Sequence, residues 1–405
     1  MPCERHPFAR ASFDAPGPCW PPPAHSANVR RTMRSRGHSS RHPHRCSPRP
    51  ACCAGFAVAV DWTKAVLRRT LARSHICQDA SKGNGMTNRQ LSLPQLGSSL
   101  FVTDGGLETT LIFRDGLDIP FFAAFSLLRS QSGREALSRY YIEYLQLAQR
   151  HGCGIILESP TWRANPEWGW RLGYALDELA AANRDAIALL GEVIEPFQTA
   201  TGARIRSGCI GPRGDGYIAD RVMPVTEALA YHEWQIGVLA TTEADMVCAM
   251  TMTTAEEATG VALAAQKHDM PVAISFTTET DGLLPSGQAL GAAINQVDDA
   301  TVGYPAYYMI NCAHPDHFRF AFEEGKPWLQ RLRGVRANAS RKSHAELDAS
   351  ENLDDGDPVE LGKMYAEMHA RHRGFSILGG CCGTDTRHID AIAATCMPLF
   401  TRLSN

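Results

Sequence analysis

The chain has 405 residues, 44% of them hydrophobic, with 40 Lys and Arg against 43 Asp and Glu and a formal charge of −3. That length holds one large domain or two ordinary ones. The near-neutral balance gives no bulk electrostatic reason to expect nucleic acid or an anionic membrane as a partner, and no apolar run approaches the ~20 residues a membrane-spanning helix needs.

Residues 1–85 differ from the rest: rich in Pro, Arg, Ser, His and Cys, poor in acids. Pro21-Pro22-Pro23 and Arg30-Arg31-Thr32-Met33-Arg34-Ser35-Arg36 carry neither a helical nor a strand period. Such a segment buries too little apolar surface to offset its chain entropy, so most of it is expected to be disordered. Residues 52–71 are apolar enough for a weak helix. Three readings compete. The segment is translated upstream sequence before a start at Met86, a targeting peptide, or a basic interaction arm. The many prolines argue against the second, and the first is preferred. Six of the 13 cysteines lie there (Cys3, Cys19, Cys46, Cys52, Cys53, Cys77). The others are Cys153, Cys209, Cys248, Cys312, Cys381, Cys382 and Cys396. An odd set without a secretory signal suits a reducing, cytoplasmic compartment and a metal or catalytic role.

From residue 86 to 405 strands and helices alternate. Leu100-Phe101-Val102-Thr103 reads as a strand ending at Asp104-Gly105-Gly106, and the spacing predicts a helix over 133–151. A strand over 154–158 leads into the loop Thr161-Trp162-Arg163-Ala164-Asn165-Pro166-Glu167-Trp168-Gly169-Trp170. A helix follows over 175–197, then a strand over 204–210 closed by Gly211-Pro212. The third helix starts near Pro224, since Pro is tolerated in a first turn. The fourth strand is 246–250. Its helix, 254–268, opens on a capping box, Thr253 with Glu256 or Thr254 with Glu257. A strand over 272–276 and a helix over 289–299 come next. The strand over 307–310 is followed by a helix expected over 316–332. A strand over 334–339 precedes a polar, acidic insertion, 341–357, read as a surface loop. A helix over 359–372, a strand over 375–378 and a helix over 386–400 end the pattern. Eight strand–helix units in about 300 residues predict a single (β/α)8 TIM barrel, with a doubly wound open sheet as the rival. Active sites of such barrels lie at the C-terminal ends of the strands.

Two of those ends carry cysteines. Asn311-Cys312 closes the sixth strand and Gly379-Gly380-Cys381-Cys382-Gly383-Thr384 the eighth. Adjacent cysteines rarely meet disulfide geometry with each other, but they suit two thiolates facing one ion. Cys312, Cys381 and Cys382 would give Zn2+ three thiolates and leave one coordination position for a substrate thiol. The bland alternative is three buried small side chains. His314 and His317 are expected at a helix start and on the surface, and His388 on the last helix. Asp104 is expected to point its carboxylate into the rim. Trp162, Trp168 and Trp170 offer aromatic faces to a cationic methyl donor, against a competing reading as loop packing. The loop from Asp281-Gly282 to Gly287 follows strand five and could close over the site.

These motifs resemble the zinc-dependent homocysteine S-methyltransferase family. The resemblance rests on Thr103-Asp104-Gly105-Gly106, Gly208-Cys209-Ile210-Gly211-Pro212, Asn311-Cys312 and the Gly-Gly-Cys-Cys-Gly-Thr run, and spans about residues 99–400. It implies Cys312, Cys381 and Cys382 as zinc ligands and homocysteine as the thiol acceptor. Asp104, Gly105, Thr161 and Trp162 are expected to touch substrate. Members without a cobalamin or folate domain imply S-methylmethionine, S-adenosylmethionine or betaine as donor, with a sulfonium preferred here. The chain departs from the family at two places. Met250-Thr251 stands where the family carries a glutamate for the amino group of homocysteine, and Ser159-Pro160-Thr161 replaces Thr-Asn-Thr. Asp104 or Glu158 would then take over the amine. The alternatives are a methyltransferase for another thiol or a non-catalytic zinc- or thiol-binding barrel. No nucleic acid or membrane partner is expected, and the oligomeric state is not readable.

Overall fold

The structure is a computed structural model and describes residues 93–198, 201–219, 222–322 and 325–401. The 1–85 extension lies outside the described residues. Eight parallel strands close into a barrel in chain order: β1 (Phe101–Thr103), β2 (Gly154–Glu158), β3 (Arg204–Ile210), β4 (Met246–Met252), β5 (Val272–Phe276), β6 (Tyr307–Asn311), β7 (Leu332–Ala337) and β8 (Ile377–Gly380). β8 pairs back with β1 through Phe101–Ile377 and Val102–Leu378. The TIM barrel is therefore confirmed and the open sheet excluded.

The helices are α1 (Leu107–Phe113), α2 (Gln131–His151), α3 (Pro166–Arg171), α4 (Leu176–Ile194), α5 (Val225–Leu239), α6 (Ala255–Lys267), α7 (Leu290–Thr301), α8 (Pro315–Phe318), α9 (His344–Asp348), α10 (Pro358–Arg371) and α11 (Thr386–Thr401). Helix starts follow side-chain chemistry. Thr254 Oγ1 accepts the Glu257 N–H at 3.2 Å to open α6, and Ser130 accepts the Gly133 N–H at 3.0 Å to open α2. α1 and α3, one short and one inside the tryptophan loop, have no counterpart in the sequence reading. The helix expected over 316–332 is broken into α8 and two 3-10 turns, Arg319–Ala321 and Pro327–Arg331. Pro327 has no N–H for a helix interior, and Gly325 sits at φ +78°, outside the helical region.

Both faces of every strand are covered, so the strands read as apolar runs, but the inner face is graded. Phe101, Ile156, Ile205, Met246, Ala273, Tyr307 and Ile377 pack together inside the barrel. Because strand side chains alternate, the next inward positions are Thr103, Glu158, Ser207, Cys248, Ser275, Met309 and Gly379, and Arg336 follows Gly334 on β7. The interior thus passes from an apolar lower layer to a mixed one under the C-terminal rim, in which Thr103, Glu158, Ser207, Ser275 and Arg336 are polar while Cys248 and Met309 remain in the apolar cluster.

Candidate metal centre

Cys312 and Cys381 immediately follow or adjoin the ends of β6 and β8, and β7 lies between those strands. The Cys312 N–H donates to Arg336 O at 3.2 Å and the Cys381 N–H to Ala337 O at 2.8 Å. The sulfurs of Cys312, Cys381 and Cys382 all lie within 4.8 Å of one another. Cys312 and Cys381 are paired as a disulfide with Cα atoms 5.4 Å apart, and Cys312 Sγ is 4.0 Å from Cys382 Sγ. The proximity that permits that bond also permits a shared ion, but only in the reduced state.

The backbone around the sulfurs is constrained. Cys312 has φ +55°, a region costly for a residue with a Cβ. Its carbonyl is held by Asn338 Nδ2 at 3.0 Å and by His344 Nε2–H at 2.6 Å. A side chain at Gly379 would strike Thr103 Oγ1, and one at Gly380 would strike Thr384 Oγ1. Asn311 fastens three strands. Its Oδ1 accepts the Thr251 N–H at 2.9 Å and the Ser275 hydroxyl at 2.6 Å, while Nδ2 donates to Thr251 Oγ1 at 2.9 Å. Nδ2 also lies 3.9 Å from Cys381 Sγ. Thr251, at φ +62°, is the residue so held.

Tyr217, in the loop after β3, places its hydroxyl 3.5 Å from Cys382 Sγ and 3.9 Å from Cys312 Sγ. Its ring stacks on His344 at 4.2 Å, and His344 Nδ1 lies 3.1 Å from Glu279 in the loop after β5. The 341–357 segment is therefore more than a surface loop: α9 lies over the cysteines. A cavity beside Cys382 is lined by Thr109, Phe113, Tyr217, His344, Asp348 and Asp354, among others. Burial pushes the Cys382 thiol up to about 11, and the charges of Glu108 and Asp348 add to the rise. Burial also pushes Glu108 up to about 7.

The other expected residues fall as follows. Asp104 is buried and accepts from Arg336 Nη2 at 2.9 Å and the Tyr140 hydroxyl at 3.3 Å. Gly105 is pressed against Tyr144 and Thr384. The Thr161 hydroxyl donates to Cys209 O at 2.8 Å and so ties the β2 loop to β3. The Trp162 indole packs against the interior cluster that contains Met250 and donates to Met250 O at 3.5 Å. The tryptophan faces are met from within the chain, in line with the loop-packing reading. The Arg163 guanidinium lies 4.0 Å from both the Trp162 and Trp168 rings, and Trp170 is 68% exposed. His314 and His317 are buried rather than on the surface. His314 Nδ1 accepts the Asp316 N–H at 3.2 Å to start α8, and His317 Nε2 bonds Arg341 O at 2.9 Å. His388 is buried on α11 beside Asp385.

Arg336, Asn338, Tyr217 and His344 were given no role from sequence. Arg336 had a usable signal: a charged residue within an otherwise apolar strand of a closed parallel barrel must find a buried partner. Tyr217 and His344 had none, because long loops bring them to the rim.

Three soft sulfur donors converging at one rim, with hydrogen-bond donors from Asn311 and Tyr217 behind them, fit a thiophilic cation such as zinc with one position left over. A barrel with a cysteine triad at its C-terminal rim is the class of protein these features define. The chain belongs to the homocysteine S-methyltransferase family, whose model matches residues 101–396, and it is a methyltransferase. Among solved structures it is similar to the homocysteine methyltransferase MmuM from Escherichia coli. The metallated form has TM-score 0.59 and 19% identity, over 76% of this chain and 99% of that one. The oxidised form has TM-score 0.58 and 20% identity over 76% and 99%, and the apo form 0.52 and 20% over 76% and 100%. At these identities the likeness is one of fold. No curated protein sequence matches the chain.

Proposed function

We propose that the protein moves a methyl group from a small cationic donor to the thiol of homocysteine, giving methionine, with zinc held by Cys312, Cys381 and Cys382. The observation that carries this reading is the convergence of the three sulfurs within 4.8 Å on a chain of this family. Bound zinc supplies Lewis acidity that brings a thiol's pKa toward neutrality. The acceptor sulfur then attacks the donor methyl carbon in line, the methyl–sulfur or methyl–nitrogen bond breaks, and its electron pair leaves with the donor.

The chain's own groups hold this geometry. Asn338 and His344 lock the Cys312 turn, while Tyr217 hydrogen-bonds Cys382 and stacks on His344 beside the sulfurs. Glu108 and Asp348 set a negative field at Cys382, which favours a donor such as S-methylmethionine, S-adenosylmethionine or betaine. Trp162 would wall the methylene groups of the acceptor, and Gly105 lets the β1 turn pack against Tyr144 and Thr384 beneath it. The test is metal analysis of the full chain, purified reduced and without chelator, beside Cys382→Ser, with methyl transfer to homocysteine measured for each donor. About one zinc per chain and turnover are expected, both lost in the variant. Turnover that survives metal removal would sink the reading.

A further inference from the structure

We propose that Glu158 and Arg336 together form the site for the amino-acid head of the acceptor, Glu158 Oε2 taking the ammonium and Arg336 Nη1 the carboxylate. This rests on the thiol-acceptor reading above and names which part of the acceptor the chain recognises, and with what.

Met250 occupies the strand-four position and is apolar and buried, so no carboxylate comes from there. Of the two acids under the rim, Asp104 is already engaged by Arg336 and Tyr140. Glu158 is not. Its Oε2 is buried with no hydrogen-bond partner, and its Oε1 stands 3.7 Å from Arg336 Nη1, too far for a hydrogen bond. Arg336 uses Nε on Gly380 O at 3.1 Å and Nη2 on Asp104, and leaves Nη1 buried and unpartnered. Ser207, the register partner of Glu158 on β3, and Cys248 approach the same carboxyl and draw its pKa down against burial, yet Oε2 still has no partner at hydrogen-bond distance. Glu158 is 6% exposed and Arg336 4%.

Two orphaned atoms of opposite charge, Glu158 Oε2 and Arg336 Nη1, thus face inward in one layer of the barrel. Buried polar atoms are nearly always paired in a native structure, and unpaired buried charge is costly. An ammonium and a carboxylate on one carbon supply the two signs these atoms lack. The place is right as well. Arg336 bonds the carbonyl of Gly380, the residue before Cys381, so this layer adjoins the cysteine motif.

The experiment uses the full chain with zinc, titrated calorimetrically with three thiols. These are homocysteine, 4-sulfanylbutanoate, which lacks the amine, and 3-aminopropane-1-thiol, which lacks the carboxylate. A lost charge-assisted hydrogen bond costs about ten- to a hundredfold in affinity, so the wild type should prefer homocysteine to each analogue by that factor. In Glu158→Gln the preference over 4-sulfanylbutanoate should fall to within about threefold, with the preference over the aminothiol kept. Arg336→Lys should do the reverse. Glu158→Asp, which keeps the charge but withdraws it by one methylene, guards against a folding defect in the Gln variant and should also lose the amine preference. Unchanged discrimination in the Glu158 variants, or none in the wild type, overturns the inference and leaves Oε2 to a buried water. Methyl transfer, assayed in parallel, separates the two readings. Discrimination without turnover removes the methyltransferase proposal alone, and turnover without discrimination removes this one alone.

Discussion

The loop after β2 and the rim around β6 to β8 both crowd polar and aromatic side chains at the same end of the barrel, yet they present opposite charge. At the first, Trp162 and Trp168 already hold the Arg163 guanidinium against their rings, and Arg171 lies 4.7 Å from the Trp168 ring. To an incoming cation those faces are positive. At the second, Glu108 and Asp348 act on Cys382, and Glu158 adds a carboxylate beneath. The aromatic ring there, Tyr217, is stacked on a histidine. Residue type and rim position are shared, so neither identifies a site. What separates them is whether the bonding capacity and charge are already met from within the chain.

The strongest way to probe that contrast is through Glu158. Burial pushes its carboxyl up from 4.5 to about 7, so the folded chain binds this proton more tightly than the unfolded one. Its contribution to stability is full below pH 4.5 and is lost as pH rises through 7. Glutamine does not titrate. Between pH 4.5 and 7.5 the unfolding free energy of Glu158→Gln should therefore gain on the wild type by up to about 3 kcal/mol, as read from denaturant unfolding without acceptor. A constant difference across that range would mean the carboxylate is not a surplus charge. Next in size, Asn338→Ala frees the Cys312 carbonyl and should weaken zinc binding about 10- to 100-fold in chelator competition. Unchanged affinity would show that His344 alone holds the turn. The smallest effects belong to the tryptophan loop. Trp168→Phe removes one hydrogen bond, Nε1 to Arg213 O at 3.1 Å, and should cost about 1 kcal/mol of stability; Trp170→Ala, at an exposed position, should stay within about 0.5 kcal/mol. Neither should move the donor KM. A tenfold rise in it for Trp168→Phe would relocate the donor to this loop and break the contrast.

Much of this was legible in the chain. Eight apolar runs alternating with helical spacing point to a parallel sheet covered on both faces, and the count of eight favours the barrel over the doubly wound sheet. The two cysteine motifs follow strands six and eight, and barrel closure leaves only β7 between them. The illegible part has a physical cause. Arg336 sits in a strand that was recognised, but its use depends on reach across the barrel to β1 and β2, which no local pattern encodes. Tyr217 and His344 arrive from loops whose paths are set by tertiary contacts. The broken helix after β6 was misread because apolar spacing outweighed Gly325 and Pro327, which stop a helix regardless of its pattern. The tryptophans were read by residue type, and the neighbouring arginine that occupies them was left out.

The β7 backbone hydrogen-bonds Cys312 on one side and Cys381 on the other. A closed sheet behaves as a hoop, in which the separation of two staves is set by the stave between them and by the fixed circumference. The gap between Cys312 and Cys381 is therefore set first by the hoop, with Asn338 and His344 fixing the Cys312 turn above it. A substitution that shifts β7 would change the gap between these two sulfurs from below, before any loop is touched.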